Sequence, residues 1–494
     1  MRIARNLGPF RRRMAASWLL LLLGVSCAGS PPPKTSSASE TDQRAPRRRL
    51  ERVVVDPFID ELQERTFRFF WERANPANGL VPDRWPTKSF SSVAAVGFGL
   101  TAYTIGVEHG WITREQAIER VLTTLRFFAD ESRQGPEPAG RIGYKGFFYH
   151  FLDMDTGARF QDVELSTIDT TLFLAGSLTC QAYFDRETPQ EAEVRRLAQA
   201  LYERADWRFF LVRPPRVNMG WKPEDGFSIS DWWGYDESMI LYVLALGSPT
   251  HAIDPAGWTA FTSSYRWGSR YGLEHVGFAP LFGHQFSHVW IDFRGIRDAY
   301  MRSRGIDYFE NTRRAALEQR QYAVENPGQF LGYGADVWGL SACDGPADTT
   351  LPWAGRQVTF FTYAARGASF TEVRDDGTIA PMAATSSLPF VPEEATAAIR
   401  TMHERYGDSL YSTYGFLDAF NPTFTFGVPV HHGHVVPGVG WFDTDYLGID
   451  QGPIVAMIEN HRSAFVWRLL RKHDAVVRGL RRAGFTGGWL DQAP

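Results

Sequence analysis

Hydrophobic and polar positions along the chain follow the period of an α-helix over most of its length. In residues 56–74, apolar side chains recur every three or four positions, which predicts an amphipathic helix. Residues 91–109 and 165–184 are apolar almost all round, so these two helices should be buried on every side. The other predicted helices are one that begins at Thr113, where Gln116 completes a capping box, and those at 188–206, 236–247, 286–303, 307–325, 392–406 and 451–482.

Buried helices alternate with helices that have one polar face, and this alternation predicts their arrangement. Inner and outer sets totalling about a dozen helices are typical of a closed α/α toroid, with its active site among the loops at one end. Arg-Phe-Phe recurs at 68–70, 126–128 and 208–210, which agrees with repeated helix pairs. Long loops rich in Gly, Trp and Tyr, at 207–235 and 327–357, would form that end. The predicted fold class is therefore all-α.

One stretch departs from the helical period. Residues 358–390 contain short runs of β-branched and aromatic residues, which predict a small β insertion or sheet. We predict a single catalytic domain from 56 to 484, followed by a C-terminal tail at 485–494.

The N-terminal residues are typical of an export signal. Three arginines at 11–13 precede a Leu-rich apolar run at 14–25, too short to span a membrane with stop-transfer flanks. Residues 1–27 therefore predict a signal peptide, with Cys27 as a lipid attachment site or ordinary cleavage as the alternative. Residues 28–55, rich in Pro, Ser and charge, predict a disordered linker. The mature protein would be periplasmic, anchored to the outer membrane, or secreted.

Composition narrows the possible functions. The formal net charge is −4, so nothing indicates binding to nucleic acid. The three cysteines are too few for a disulfide framework or a zinc site. Aromatic residues make up 14% of the chain, and such rings can stack on the apolar faces of sugars. The alternative is a core that is simply rich in aromatic residues.

The first acidic cluster lies where a buried helix begins, at residues 161–170. For Asp162 and Glu164, the alternative to a catalytic or binding function is capping of free backbone N–H groups. Asp169 lies about one turn inside an otherwise apolar helix, and buried aspartates rarely lack a function. Cleavage of a glycosidic bond requires one protonated and one ionised carboxyl group, which makes Asp169 a candidate.

The second acidic cluster lies just before another apolar helix. Asp236 and Glu237 follow three aromatic residues, Trp232, Trp233 and Tyr235. Burial among these rings would raise the pKa of a carboxyl group and keep it protonated, so Glu237 is our leading general-acid candidate. The alternative is an acid pair at a helix N-terminus beside core aromatics.

The third cluster, at residues 441–453, contains Asp443, Asp445 and Asp450, and Asp450 lies close to the start of the last long helix. Asp450 is a candidate for the base or for positioning the attacking water, and a helix cap is the alternative. A histidine tract at 431–434 could ligate a metal but has no partner, so we interpret it as a loop. Other candidate cleft residues, all on predicted loops, are Arg84, Lys145, Trp338 and Asp344.

Together these segments resemble the bacterial glycoamylase-like domain family, which includes endo-β-1,2-glucanases of glycoside hydrolase family 144. The resemblance spans about residues 56–480. The segments that carry it are Asn78-Gly79-Leu80-Val81-Pro82-Asp83, Gly146-Phe147-Phe148-Tyr149-His150-Phe151-Leu152-Asp153, Ser166-Thr167-Ile168-Asp169-Thr170, Trp233-Gly234-Tyr235-Asp236-Glu237-Ser238 and Ile449-Asp450-Gln451-Gly452-Pro453.

The resemblance implies a single (α/α)6 toroid that needs no metal and no organic cofactor. It implies that the cleft acids are Asp162, Asp169, Glu237 and Asp450. Two positions depart from the glucanases of the family, which carry an acid where this chain has Ser166 and a Glu where it has Asp169. If the missing acid relays a proton from the attacking water, Glu164 or Asp162 is the nearest substitute.

The predicted function is endo-acting hydrolysis of β-1,2-glucan by two carboxylates with inversion, in a monomer whose partner is a poly- or oligosaccharide. Trp232, Trp233 and Trp338 are candidate stacking rings, and Arg84 and Lys145 would fix sugar hydroxyls. Tyr235 and Asp236 are further candidates for substrate binding. One alternative is a hydrolase or transglycosylase on another envelope glucan. A second is a glycan-binding lipoprotein without catalysis, and the serine at position 166 is what favours it.

Overall fold

The computed structural model describes residues 53–492, and this part of the chain is rich in helices. The predicted signal peptide and most of the predicted linker lie outside the described residues. The α-helices are α1 Pro57–Arg73, α2 Val93–His109, α3 Arg114–Ala129, α4 Thr167–Tyr183, α5 Pro189–Arg204, α6 Met239–Gly247, α7 Ala256–Thr262, α8 Phe282–Trp290, α9 Ala299–Arg304, α10 Tyr308–Glu325, α11 Pro381–Thr385, α12 Pro392–Leu410, α13 Gly448–Ser463, α14 Phe465–Leu470 and α15 Asp474–Arg482.

Short antiparallel strands connect these helices. The largest sheet has five strands in the order β3-β4-β6-β7-β8, and a three-stranded sheet has the order β19-β21-β20. The strands are β1 Arg84–Trp85, β2 Ser91–Ser92, β3 Gly143–Tyr144, β4 Phe147–Tyr149, β5 Phe151–Leu152, β6 Leu165–Ser166, β7 Gly220–Lys222, β8 Gly226–Phe227, β9 Trp267–Gly268, β10 His275–Val276, β11 Ala342–Asp344, β12 Thr349–Trp353, β13 Arg356–Phe360, β14 Tyr363–Ala365, β15 Gly367–Ala368, β16 Val373–Arg374, β17 Tyr411–Ser412, β18 Gly415–Phe416, β19 Phe420–Asn421, β20 His434–Val436, β21 Gly440–Phe442 and β22 Tyr446–Leu447.

The helices with apolar residues on all sides form the centre of the domain. Almost every residue of α2, α4, α6 and α13 is buried. Helices α2 and α4 approach closely because glycines face each other at their crossing. A Cβ atom on Gly176 would lie 2.0 Å from the Gly97 carbonyl oxygen, and one on Gly97 would lie 2.2 Å from the Leu172 carbonyl oxygen. Any larger side chain at either position would force the two helices apart.

The buried helices contact one another in chain order. Helix α2 packs on α4, α4 on α6, α6 on α8, α8 on α13, and α13 returns to α2. Helix α11 joins this set through α13 and through Gln285 on α8, whose Nε2 donates to Ala383 O and Ser387 Oγ. Amphipathic helices cover the buried ones from outside: α1 packs on α13 and α2, α5 on α4, and α15 on α6.

The predicted helices agree with the structure in most places, and the differences have local causes. The capping box of Thr113 and Gln116 is confirmed, since each side chain accepts from the other's backbone N–H. The helix predicted at 286–303 is two helices, because extended backbone at Ile291 ends α8 and Asp298 caps α9. The helix predicted at 451–482 is three, because Ala464 adopts left-handed backbone geometry and His473 caps α15.

Two further predictions concern the insertion and the C-terminus. Between 358 and 390 the chain forms most of β13, then β14, β15, β16 and α11, so strands are present there as predicted. The residues predicted as a C-terminal tail are folded as far as Gln492: Phe485 and Leu490 are buried, whereas Asp491 and Gln492 are exposed.

Cys180 and Cys343 are both buried and free. Within residues 53–492, no helix has the length and apolar character needed to cross a bilayer.

Candidate active site

Three of the buried helices carry acidic residues at or just before their first turn. Asp169 lies in the first turn of α4, Asp450 lies in the first turn of α13, and Asp236 and Glu237 come just before α6. The partial positive charge of a helix N-terminus favours carboxylates at these positions. Because the three helices contact one another through α2 and α4, their acidic ends contribute to one region.

Glu237 has the properties of a proton donor. Its side chain is partly buried and makes no hydrogen bond to another side chain in residues 53–492. Burial, together with the charges of Asp236 and Asp169, raises the pKa of its carboxyl group to about 8, although its own backbone N–H opposes the shift. Glu237 therefore carries a proton at neutral pH and is only partly shielded from the solvent.

Asp236, which we predicted to bind substrate, instead has a local structural function. Its residue is 8% exposed, and its Oδ1 accepts hydrogen bonds from both the backbone N–H and the hydroxyl of Ser238. Burial raises its pKa to about 6. Asp236 thus holds the turn that places Glu237 and influences the pKa of Glu237 by charge.

Asp169 is bound on two sides by side chains from the neighbouring sheet. The Ser166 hydroxyl donates to its Oδ2, and His150 Nε2 lies 3.5 Å from its Oδ1. The second nitrogen of His150, Nδ1, lies 2.9 Å from Glu164 Oε1. Burial raises the pKa of Asp169, while His150 and Ser166 oppose the shift. Within the described residues, Asp169 therefore has an ion pair with a histidine, whereas Glu237 has none.

A second group of acids surrounds Arg84. Its Nη1 lies 2.6 Å from Asp344 Oδ2 and 3.6 Å from Asp445 Oδ2, and its Nε lies 3.5 Å from Asp83 Oδ2. Strand β1 pairs with β22, with Arg84 opposite Leu447, and this pairing brings Arg84 to the start of α13. Our prediction that Arg84 and Asp344 lie in the cleft agrees with this geometry.

Asp450 belongs to the same group through Asp418. Burial raises the pKa of Asp450 to about 7, although a hydrogen bond from Asp418 opposes the shift. Burial and the charges of Asp450 and Asp344 raise the pKa of Asp418 well above its usual range. Burial thus favours the protonated form of both carboxyl groups. The backbone N–H of Asp344 also donates to Asp418 Oδ2 at 2.8 Å, which fixes this carboxyl group.

Three of these acids could hold a metal ion. Asp344, Asp443 and Asp445 each offer one carboxylate oxygen, and the three atoms lie within 4.8 Å of one another. However, Arg84 already supplies positive charge to Asp344 and Asp445, and its guanidinium would repel a divalent cation. The buried Oδ2 atoms of Asp443 and Asp445 accept no hydrogen bond from the described residues.

Two predicted site residues lie elsewhere. Asp162, predicted as a catalytic acid, is exposed, and its nearest cation is Lys222 at 3.7 Å. Its place before β6 turns the side chain to solvent, so the structure does not support a catalytic function. Lys145, predicted to bind substrate, points to Asp206 at 3.9 Å in a separate surface cavity that His251 also lines.

Three of the predicted aromatic contacts are wrong because their rings are part of the core. Trp232 is 8% exposed, and its Nε1 donates to Thr167 Oγ1 at 2.8 Å. Trp338 is only 1% exposed. Tyr235 is buried and packs against His284 and other aromatic rings. None of the three can present a face to a sugar.

Trp233 is the predicted stacking residue that remains accessible, since it is 51% exposed. The guanidinium of Arg216 lies 4.4 Å from its ring centroid, so one face is covered. Tyr363 is a second accessible ring, 54% exposed, on the strand paired with Asp344. Its pKa is raised well above its usual value by desolvation and then by the nearby carboxylates of Asp450, Asp418 and Asp83.

Sequence reasoning missed several members of this site. Asp83, His150 and Asp443 lie in segments already identified from the sequence. Their neighbours are apolar or aromatic, and no local pattern distinguishes the three as site residues. Asp418 and Tyr363 lie on short strands with no motif of their own. The missed residues are Asp83, His150, Tyr363, Asp418, Asp443 and Asp445.

Comparison with known proteins adds to this geometry. The family model Glycoamylase, described as "Putative glucoamylase", matches residues 230–474. A solved structure from Bacteroides uniformis ATCC 8492 with the same description is 30% identical; the match covers 87% of this chain and 97% of that one, with a TM-score of 0.74.

Two other similar proteins have names that state a substrate. One is an endo-β-1,2-glucanase from Chitinophaga pinensis, solved with sophorotriose and glucose. It is 26% identical, the match covers 87% of this chain and 98% of that one, and the TM-score is 0.73. The other is an exo β-1,2-glucooligosaccharide sophorohydrolase (non-reducing end) from Parabacteroides distasonis, 28% identical over 87% of this chain. This chain spans 58% of the length of that curated relative.

Proposed function

The chain belongs to the glycoamylase-like family, and on this basis we propose that it is a glycoside hydrolase that cleaves β-1,2-linked glucan. The observation that carries the proposal is the contrast between two acids of the site. Glu237 holds a proton at neutral pH and forms no ion pair within residues 53–492, whereas Asp169 lies against His150. A glycosidase requires such a pair, because one carboxyl group must protonate the leaving oxygen while another acts in its ionised form.

We assign the general-acid step to Glu237. In this scheme its proton moves to the glycosidic oxygen as the bond to the anomeric carbon breaks. A water molecule attacks that carbon from the other face and gives up its proton to a carboxylate, for which Asp169 and Asp450 are the candidates. The expected stereochemical outcome is inversion, and proton NMR of the first products reports the anomeric configuration directly.

The fold proposed for this function is an (α/α)6 toroid. Six helices, α2, α4, α6, α8, α11 and α13, would form the inner ring, and the contacts between them in chain order support this arrangement. The acids at the starts of α4, α6 and α13 would then lie at one end of the ring. A monomer is sufficient for this site, since all of its residues come from one chain.

We propose internal cleavage of long glucan chains. The exposed ring of Trp233, four residues before Glu237 in the sequence, and that of Tyr363, paired with Asp344, would bind sugars. The name of the Parabacteroides relative favours a second candidate, release of the disaccharide sophorose from the non-reducing end.

The decisive experiment is incubation of the pure protein with linear β-1,2-glucan, with products resolved over time. A ladder of short oligosaccharides in the first minutes supports internal cleavage, and sophorose alone would replace it with the exo mode. Other β-glucans serve as controls for linkage. A protein that binds β-1,2-glucan in calorimetry but yields no product would contradict the proposal and leave a glycan-binding function.

The proposed location outside the cytoplasm depends on residues 1–27, which lie outside the described part of the chain. Labelling cells with a radioactive fatty acid tests attachment at Cys27. Label that is lost in Cys27→Ala supports a lipoprotein, and an unlabelled exported wild type leaves secretion alone.

A further inference from the structure

One histidine connects two acids of the site, and the scheme above gives it no function. His150 lies between Glu164 and Asp169, with one ring nitrogen directed to each carboxylate, at 2.9 Å and 3.5 Å respectively. The side chain of Asp169 is 4% exposed, whereas that of Glu164 is 36% exposed. The imidazole ring therefore links a buried carboxylate to one at the edge of the solvent.

The backbone holds this bridge in place. The His150 backbone N–H donates to the Glu164 carbonyl oxygen at 2.9 Å, directly beside the pairing of β4 with β6. Its ring stacks on Phe151, with centroids 3.9 Å apart. Ser166, at the end of β6, caps α4 and donates its hydroxyl to Asp169. Each member of the bridge is thus fixed by sheet pairing or by a helix cap.

We propose that His150 is a positioning residue of the hydrolysis, which in its charged form orients Asp169 and holds it ionised opposite the protonated Glu237. This inference rests on the proposed function, since it assigns Asp169 rather than Asp450 as the carboxylate that acts in its ionised form.

The charges around His150 agree with this function. The titratable groups that act most strongly on its charge are the acids Asp169, Glu164 and Asp83, and Lys222 acts on the neighbouring Glu164. Burial lowers the pKa of His150, but these three acids outweigh burial and raise it to about 9. The pKa of Glu164 is lowered to about 2, because His150 outweighs the opposite effect of burial. The ring is therefore an imidazolium throughout the neutral range, whereas Glu237 has no such neighbour.

The kinetic test compares His150→Gln with the wild type. Glutamine fills much of the same space without the charge. Removal of the cation raises the pKa of Asp169, so the acidic limb of the kcat/KM profile should move to higher pH by about one unit. At pH 5.5 the kcat of His150→Gln should be about tenfold lower than that of the wild type, with little change in KM. Near pH 7.5 most of the wild-type kcat should be recovered.

Asp162→Asn is the matched control, because this exposed acid lies two residues from Glu164 and outside the bridge. Its pH profile should coincide with that of the wild type. If His150→Gln loses the same fraction of activity at every pH, or loses none, His150 has only a structural function and the proposal is overturned.

A second measurement does not require activity. In protein with isotope-labelled histidine, NMR should show His150 titrating near pH 9, and at lower pH in Glu164→Gln, where one carboxylate is neutral. An ordinary midpoint near 6.5 in the wild type would overturn the inference even in an active enzyme. Conversely, a midpoint near 9 in a protein that cleaves no glucan would show that the proposed function fails while the charged bridge exists.

Discussion

Arg84 and Asp344 form an ion pair across 260 residues of sequence, with Nη1 2.6 Å from Oδ2. The side chain of Arg84 is 16% exposed and that of Asp344 is 3% exposed. Desolvation opposes the positive charge of Arg84, but Asp344 and Asp83 outweigh it and hold its pKa above the usual value. This guanidinium supplies the positive charge for a group of buried acids that would otherwise repel one another.

Loss of this cation should destabilise the protein. Arg84→Met leaves Asp344 buried without its partner, and we expect the free energy of unfolding to fall by about 3–5 kcal/mol at pH 7. The loss should be smaller at pH 5, where the acids take up protons more readily. Urea unfolding of the variant and the wild type at pH 7 and pH 5 measures this decrease in the free energy of unfolding. The double variant Arg84→Met, Asp344→Asn should recover much of the lost stability. A double variant as unstable as Arg84→Met alone would contradict the ion pair.

The pH dependence of activity should report the proton on Glu237. Because its pKa is raised to about 8, kcat should fall as pH increases through that value. Glu237→Gln should reduce kcat by about 10²- to 10⁴-fold at pH 6, since the amide cannot give a proton to the leaving oxygen. An unchanged rate in a folded Glu237→Gln protein would remove Glu237 as the acid.

The same raised pKa affects stability. A carboxyl group whose pKa is raised by folding lowers the stability of the folded state when it ionises. The free energy of unfolding should therefore decrease as the pH rises from the unfolded pKa of 4.5 to about 8. The Glu237→Gln variant has no carboxyl group to ionise at this position, so it does not undergo this loss of stability. Its melting temperature should therefore exceed that of the wild type at pH 8 and match it at pH 4. A constant difference across this range would show that the carboxyl group does not titrate as described.

The two tryptophans predicted as stacking rings should behave differently. Trp233→Ala removes a half-exposed ring, so stability should change little, while KM for glucan rises roughly three- to tenfold. Trp338→Ala removes a fully buried ring and should cost about 3–5 kcal/mol of stability. Thermal unfolding and steady-state kinetics separate the two effects. A Trp233→Ala enzyme with unchanged KM would exclude a substrate contact.

The crossing of α2 and α4 can be tested at its glycines. Gly176→Ala places a Cβ atom against the Gly97 carbonyl oxygen, which is rigid backbone, and we expect a loss of about 1–3 kcal/mol in unfolding free energy. Gly334→Ala is the control, because a Cβ atom there meets nothing within 4 Å and its φ is not in the left-handed region. Equal stability of the two variants would contradict the close packing.

The sequence predicted the helices well because apolar periodicity directly reflects which face is buried. Asp169 and Glu237 could be found for a related reason, since an acid within or just before an apolar helix breaks that pattern. Asp418 could not be found in this way. It reaches the site through a backbone contact with Asp344, 74 residues away, and no local pattern predicts such a pairing.

The aromatic residues show where local reasoning failed. Trp232 and Trp233 are adjacent in sequence, yet one lies in the core and the other is half exposed. Their neighbours in the sequence are the same, so only the tertiary structure separates them. For Lys145 and Asp162, residue type suggested sugar binding or catalysis, but each is directed to a partner outside the acid group.

The pairing of β1 with β22 joins residues 84–85 to residues 446–447, so the first and last parts of the domain meet at the acids. A chain still being synthesised therefore cannot bring Arg84 beside the start of α13 until residue 447 has been made. A fragment that ends before residue 448 lacks α13 and Asp450, so on the proposed function it should be inert however many of its other helices have formed.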